Sequence, residues 1–133
     1  MNNLIVYVDD AAHALHILQP LLAEEQVPGQ TRWLVVGCAP RVTHHVSKWV
    51  THSARDAWRR RWADKVFGPL VPMLLRDGDE VITMLAESTL VTQTESLIRA
   101  HGAARVLDAR RPRFGQDMQP VTAMQEPGHH SAV

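Results

Sequence analysis

The chain holds a single cysteine, Cys38, among its 133 residues, so no disulfide can close within it. That fits a reducing compartment and sets the expectation of a cytoplasmic protein. Long apolar runs are also missing. None approaches the ~20 residues that a membrane-spanning helix needs. The amino terminus, MNNLIVYVDD, has no basic stretch before its short apolar run, and acids follow at once, so it does not read as a signal peptide. Net charge is zero, with 14 Lys+Arg against 14 Asp+Glu. Such a chain has no long-range field to draw in nucleic acid or anionic lipid, and neither is expected as a partner. A neutral chain leans instead toward self-association, and a homodimer is expected. No internal repeat and no interdomain linker are visible. The reading is one domain over residues 1–126 with a flexible C-terminal tail over 127–133.

What is present is an alternation of two patterns. Leu4 to Val8, Trp33 to Gly37, Glu80 to Ala86 and Ala104 to Ala109 are short apolar runs rich in β-branched residues, as suits strands buried on both faces. Between them the period changes to three and four. Ala14, Leu15, Leu18, Leu21 and Leu22 mark a helix over Ala11 to Glu25, capped by Asp10, with Pro20 expected to kink it or shift its boundary. A long helix is predicted from about Thr43 to Phe67, its apolar stripe running through Val46, Trp49, Val50, Ala54, Ala57, Trp58 and Trp62. Gly68-Pro69 should break it before a short helix over Leu70 to Arg76. Ser88 or Thr89 can cap a further helix to His101, with Leu90, Val91, Thr94, Leu97 and Ile98 inward and Gly102 ending it. Met118 to Met124 is predicted as a fifth, edge strand, because Pro120 would lose a ladder bond in a sheet interior. Strands alternating with helices imply a three-layer α/β/α sandwich, doubly wound, with a mainly parallel sheet of four to five strands. Only 8 residues, Arg110 to Asp117, precede the fifth strand. A parallel crossover needs about a dozen or more, so that strand is expected antiparallel to the fourth or in a partner's sheet.

Ligands of open α/β sheets gather at the carboxyl ends of the strands. That rule selects Asp9 and Asp10 after the first strand, Cys38 after the second, Ser88 after the third, and Arg110 and Arg111 after the fourth as candidate ligand-binding residues. One acid of the Asp9-Asp10 pair can cap the next helix, and the other can accept a hydrogen bond from a ligand. Arginines at a strand end suit phosphate or carboxylate. A response-regulator receiver is excluded by Ala86, Glu87 and Ser88 where the third strand should end in a phosphorylatable Asp, and by the position of both lysines, Lys48 and Lys65, in the long helix. The histidines complete no metal set, and no residue is assigned a catalytic or metal-ligating role. From Arg41 to Lys65 seven basic residues and two acidic ones surround three tryptophans, Trp49, Trp58 and Trp62. The indoles fit the apolar stripe and the bases a solvated face, while the rest of the chain is acidic by the same margin.

Taken together, LIVYVDDAAHALHILQPLLAEE at 4–25, WLVVGCAP at 33–40, EVITMLAES at 80–88, ARVLDARR at 104–111 and QPVTAM at 119–124 resemble the universal stress protein family of the adenine-nucleotide α-hydrolase-like fold. The match spans about 120 residues. In that family an Asp after the first strand, here Asp9, contacts the nucleoside, and ATP or another adenine nucleotide is the ligand the resemblance implies. Nucleotide-binding members carry G-x-x-G and then G-[ST] after the fourth strand, so that backbone amides wrap the phosphates. This chain has RRPRFGQD there, with Gly115 alone, so the phosphate cradle is missing and no cofactor is assigned. The resemblance implies a non-enzymatic protein, paired through its last strand, acting through a small ligand or a protein partner. Two alternatives stay open: a nucleotide-binding protein using Asp9 with Arg110 and Arg111, and a small enzyme working at the Asp9, Cys38 and Ser88 end of the sheet.

Overall fold

Five consecutive apolar residues, Leu4 to Val8, can be buried together only if both faces of a strand are covered. In the computed structural model, which describes residues 2–23, 30–40, 51–76, 78–113 and 118–123, all five are buried. They form the core of β1 (Asn2–Val8), followed by α1 (Ala11–Ala23), β2 (Thr31–Gly37), α2 (His52–Leu74), β3 (Glu80–Leu85), α3 (Leu90–His101) and β4 (Ala104–Asp108). The strands are parallel in the order β3-β2-β1-β4. The chain therefore winds outward through β2 and β3, then returns to place β4 on the other side of β1. Leu4, Val6, Val8, Trp33 and Val35 face α1 and α2. Ile5, Tyr7, Leu34 and Val36 face α3 and Val121. The result is the expected three-layer α/β/α sandwich; among the described residues α1 and α2 cover one face and α3 the other.

Local signals place the helix starts. Asp10 Oδ2 accepts the His13 N–H at 2.8 Å, satisfying an orphan donor of α1. Thr89, not Ser88, caps α3, its side chain accepting from Thr92 N. Gly102 follows α3 with φ 99°, a conformation L side chains rarely adopt.

Four expectations need correction. First, the long helix does not run unbroken from Thr43. Thr51, extended at φ −70° and ψ 161°, caps a helix that begins at His52; residues 41–50 lie outside the described part. Second, α2 does not stop at Gly68-Pro69 but continues to Leu74 through Pro69 and Pro72. An interior proline costs about 3 kcal/mol. Val66, Phe67, Leu70 and Leu74 are buried against the sheet, each contributing roughly 1.5–3 kcal/mol, so packing outweighs the two prolines. The stripe that seats α2 is thus displaced toward its carboxyl end, and Ala54 is exposed. Third, Pro20 does not set the boundary of α1, which runs past it to Ala23; the carbonyl it cannot bond belongs to exposed His16. Fourth, residues 118–123 form no strand. Two of their carbonyls are bonded to side chains instead of a ladder: Gln119 O accepts from Arg110 Nη2 at 2.6 Å and Val121 O from Thr94 Oγ1 at 2.6 Å. Ile98, expected inward, is 36% exposed. The tail over 127–133 lies outside the described residues.

Candidate functional site

The sheet ladder extends one residue past β2, β3 and β4 at their carboxyl ends. Cys38 N–H donates to Val8 O at 2.8 Å, Ala86 N–H to Gly37 O at 3.0 Å, and Ala109 N–H to Tyr7 O at 2.8 Å. These bonds hold the residues after the strands in one row. Above the β2 and β3 ends lies a cleft of about 640 Å³, within the size range of small-molecule sites. Cys38, Ala39 and Pro40 form its floor with Ala86 to Leu90; Arg55, Trp58 and Arg59 of α2 form one wall; Arg110 and Gln119 close it on the far side.

The sequence candidates divide. Cys38, Ser88 and Arg110 line the cleft, whereas Asp9, Asp10 and Arg111 do not. Asp9 Oδ1 accepts the Arg111 backbone N–H at 2.7 Å, which ties the end of β1 to the loop after β4. Asp9 and the chain after β4 are thus bonded to each other at the β1 and β4 ends, and the cleft described here lies over β2 and β3. Asp10 serves the α1 cap. Ser88 Oγ donates to Thr89 O at 3.3 Å.

Arg110 is 7% exposed. Its Nε and Nη2 donate to the two oxygens of Asp108 at 2.8 Å each, and Nη2 also donates to Gln119 O at 2.6 Å. Burial alone would lower the pKa of the guanidinium; the bond to Asp108 and its charge outweigh that and hold it above its ordinary value. The fork is thus engaged by a bidentate carboxylate of the protein's own. Burial pushes the Cys38 thiol up to about 12, with Asp9 and Asp108 adding to the rise and Arg110 opposing it. A thiol so placed is protonated at neutral pH and is a poor nucleophile. Tyr7, beneath the cleft, is likewise raised by burial, against the opposing bond to Thr94. Among the described residues no group of three His, Cys, Asp or Glu side chains could hold a metal ion, and no helix is long and apolar enough to cross a membrane.

Sequence reasoning missed Trp58 and the two arginines flanking it as site residues. Their spacing carried a signal: positions 55, 58 and 59 fall on one helix face. The sequence reading instead places Trp58 on the apolar stripe and Arg55 and Arg59 on another, solvated face, because it seats the helix by its amino-terminal half rather than by Val66 to Leu74. Gln119 gave no signal; only the path of the chain after β4 brings it to α3. Comparison of the chain with models of protein families, with curated proteins and with solved structures gives no match.

Proposed function

We propose that this protein is a non-enzymatic, universal-stress-like domain that binds a small anionic ligand bearing a planar group in the cleft over β2 and β3. One observation carries the reading: a cleft of about 640 Å³ at the strand carboxyl ends whose α2 wall brings Arg55, Trp58 and Arg59 together. Guanidinium groups suit phosphate or carboxylate, and an indole offers a flat face for a ring. Glu87 is the acid on the lining, and Arg110 is paired with Asp108; Arg59 is the α2 cation this reading gives to the ligand's anionic group. An adenine nucleotide fits that description and is the first ligand to test. Protonated Cys38 and an Asp9 already bonded to Arg111 support binding over catalysis. With Asp9 Oδ1 bonded to the Arg111 N–H and Arg110 paired with Asp108, a nucleotide mode built on Asp9 with Arg110 and Arg111 is disfavoured. In this reading the protein is also a homodimer, joined along β4, whose outer edge carries no strand among the described residues.

The experiment is thermal unfolding with ATP, AMP and inorganic phosphate at millimolar concentration. The expected result is a rise in Tm with the nucleotides that is reduced in Arg59→Glu. No shift with any of them removes the anion-binding reading, and light scattering showing only monomer removes the dimer.

A further inference from the structure

Two charged side chains of opposite sign line the cleft without meeting. Arg59 comes from the α2 wall, and Glu87 from the loop between β3 and α3. Among the described residues neither has an ion-pair partner, whereas the charge on Arg110 is met by Asp108. Glu87 is held through the backbone. Its N–H donates to Gln93 Oε1 at 3.4 Å, and the N–H of Ala86 before it donates to Gly37 O at 3.0 Å. The loop is thus tied to α3 and to the end of β2, while the residue itself stays exposed.

We propose that Glu87 is a specificity residue of the cleft: its carboxylate accepts from the paired hydroxyls of a ribose and turns away anions that lack such donors. The inference rests on the anion-binding reading and adds which anion is kept. An ionised carboxylate can only accept hydrogen bonds. Beside a bare phosphate it is therefore repulsive. Beside a sugar its two oxygens match two adjacent O–H donors, in bonds that are stronger than neutral ones because the acceptor is charged. In a nucleotide the sugar lies between the ring and the phosphate. Trp58 and Arg59, neighbours on α2, take those two ends in this reading, so the middle of the ligand is left to the loop that carries Glu87. One residue then attracts the right ligand and repels the wrong one, which is how discrimination among anions of similar charge is reached.

Isothermal titration of the parent, Glu87→Ala and Glu87→Gln with AMP, 2′,3′-dideoxy-AMP and pyrophosphate tests this. The two nucleotides differ only in the hydroxyl pair. Glu87→Ala should weaken AMP about tenfold, the scale of hydrogen bonds to a charged group. It should tighten pyrophosphate about threefold, the scale of an exposed charge pair. Dideoxy-AMP should follow pyrophosphate. Glu87→Gln, which loses the charge and keeps one acceptor oxygen, should tighten pyrophosphate equally and weaken AMP less. A merely structural role would move all three ligands in one direction, and that result overturns the proposal. So does equal weakening of AMP and dideoxy-AMP, which would give the carboxylate to the base. If the parent binds none of the three, the anion-binding reading falls and this inference with it; if the parent binds them and Glu87→Ala changes nothing, only the inference falls.

Discussion

Asp108 and Arg110, two residues apart at the end of β4, form a bidentate pair with both contacts at 2.8 Å, and the arginine side chain is 5% exposed. Asp108→Ala leaves a guanidinium buried without its counter-charge. Breaking such a pair costs about 3–5 kcal/mol; with Asp108 24% exposed, the lower end is expected. Arg110→Met in the same background should restore much of the loss, because it removes the stranded charge. Urea denaturation checks both, and a loss below about 1 kcal/mol in the single variant would show the pair to be a surface contact in energetic terms.

Gly37 ends β2 beneath the cleft with no room for a side chain. A Cβ there would lie 2.7 Å from Phe67 Cζ, 3.0 Å from Trp62 and 3.1 Å from Leu85. Gly37→Ala should cost about 1–3 kcal/mol through overpacking. Phe67→Leu, which withdraws the nearest atom, should cost less in the Gly37→Ala background than in the parent. A double-mutant cycle measures that coupling, and additive effects would show that the ring is not the obstacle.

The Cys38 thiol makes stability depend on alkaline pH. Its folded pKa is raised from 9.0 to about 12, so between those values the folded state holds a proton that the unfolded chain has lost. The contribution is fully present below pH 9 and declines as pH rises toward 12, by up to about 1.4 kcal/mol per pH unit. Cys38→Ala should flatten this decline in a series of urea titrations. An unchanged slope would place the sensitivity in another group.

On α2, Arg59→Glu reverses one charge on the cleft wall without removing any of the buried side chains that seat the helix. Nucleotide affinity should fall at least tenfold, the scale of a hydrogen bond to a charged group, and the parent's affinity should weaken with added salt. Equal affinities in isothermal titration would move the ligand off this wall.

The fold was legible because it rests on periodicity. Leu4 to Val8 and Trp33 to Gly37 are apolar without alternation, and a strand of that kind must be covered on both sides. The Asp10 cap and Gly102 could be read because each acts within one turn of chain. The candidate site was half legible. The rule that ligands sit at strand carboxyl ends located Cys38, Ser88 and Arg110. It could not say which strand ends stay open, because that depends on side-chain bonds between distant segments, such as Asp9 with Arg111.

By itself, then, the amino-acid sequence determined the layers: which segments are strands, which faces of the helices are apolar, and that the strands run parallel. These follow from local chemistry repeated at short intervals. Tertiary structure alone decided that α2 runs through two prolines, that Arg55 and Trp58 meet Cys38 across a cleft, and that Gln119 and Val121 accept hydrogen bonds from Arg110 and Thr94. Each of those outcomes sets a local preference against contacts between residues far apart in the chain, and the balance exists only once the sheet has assembled.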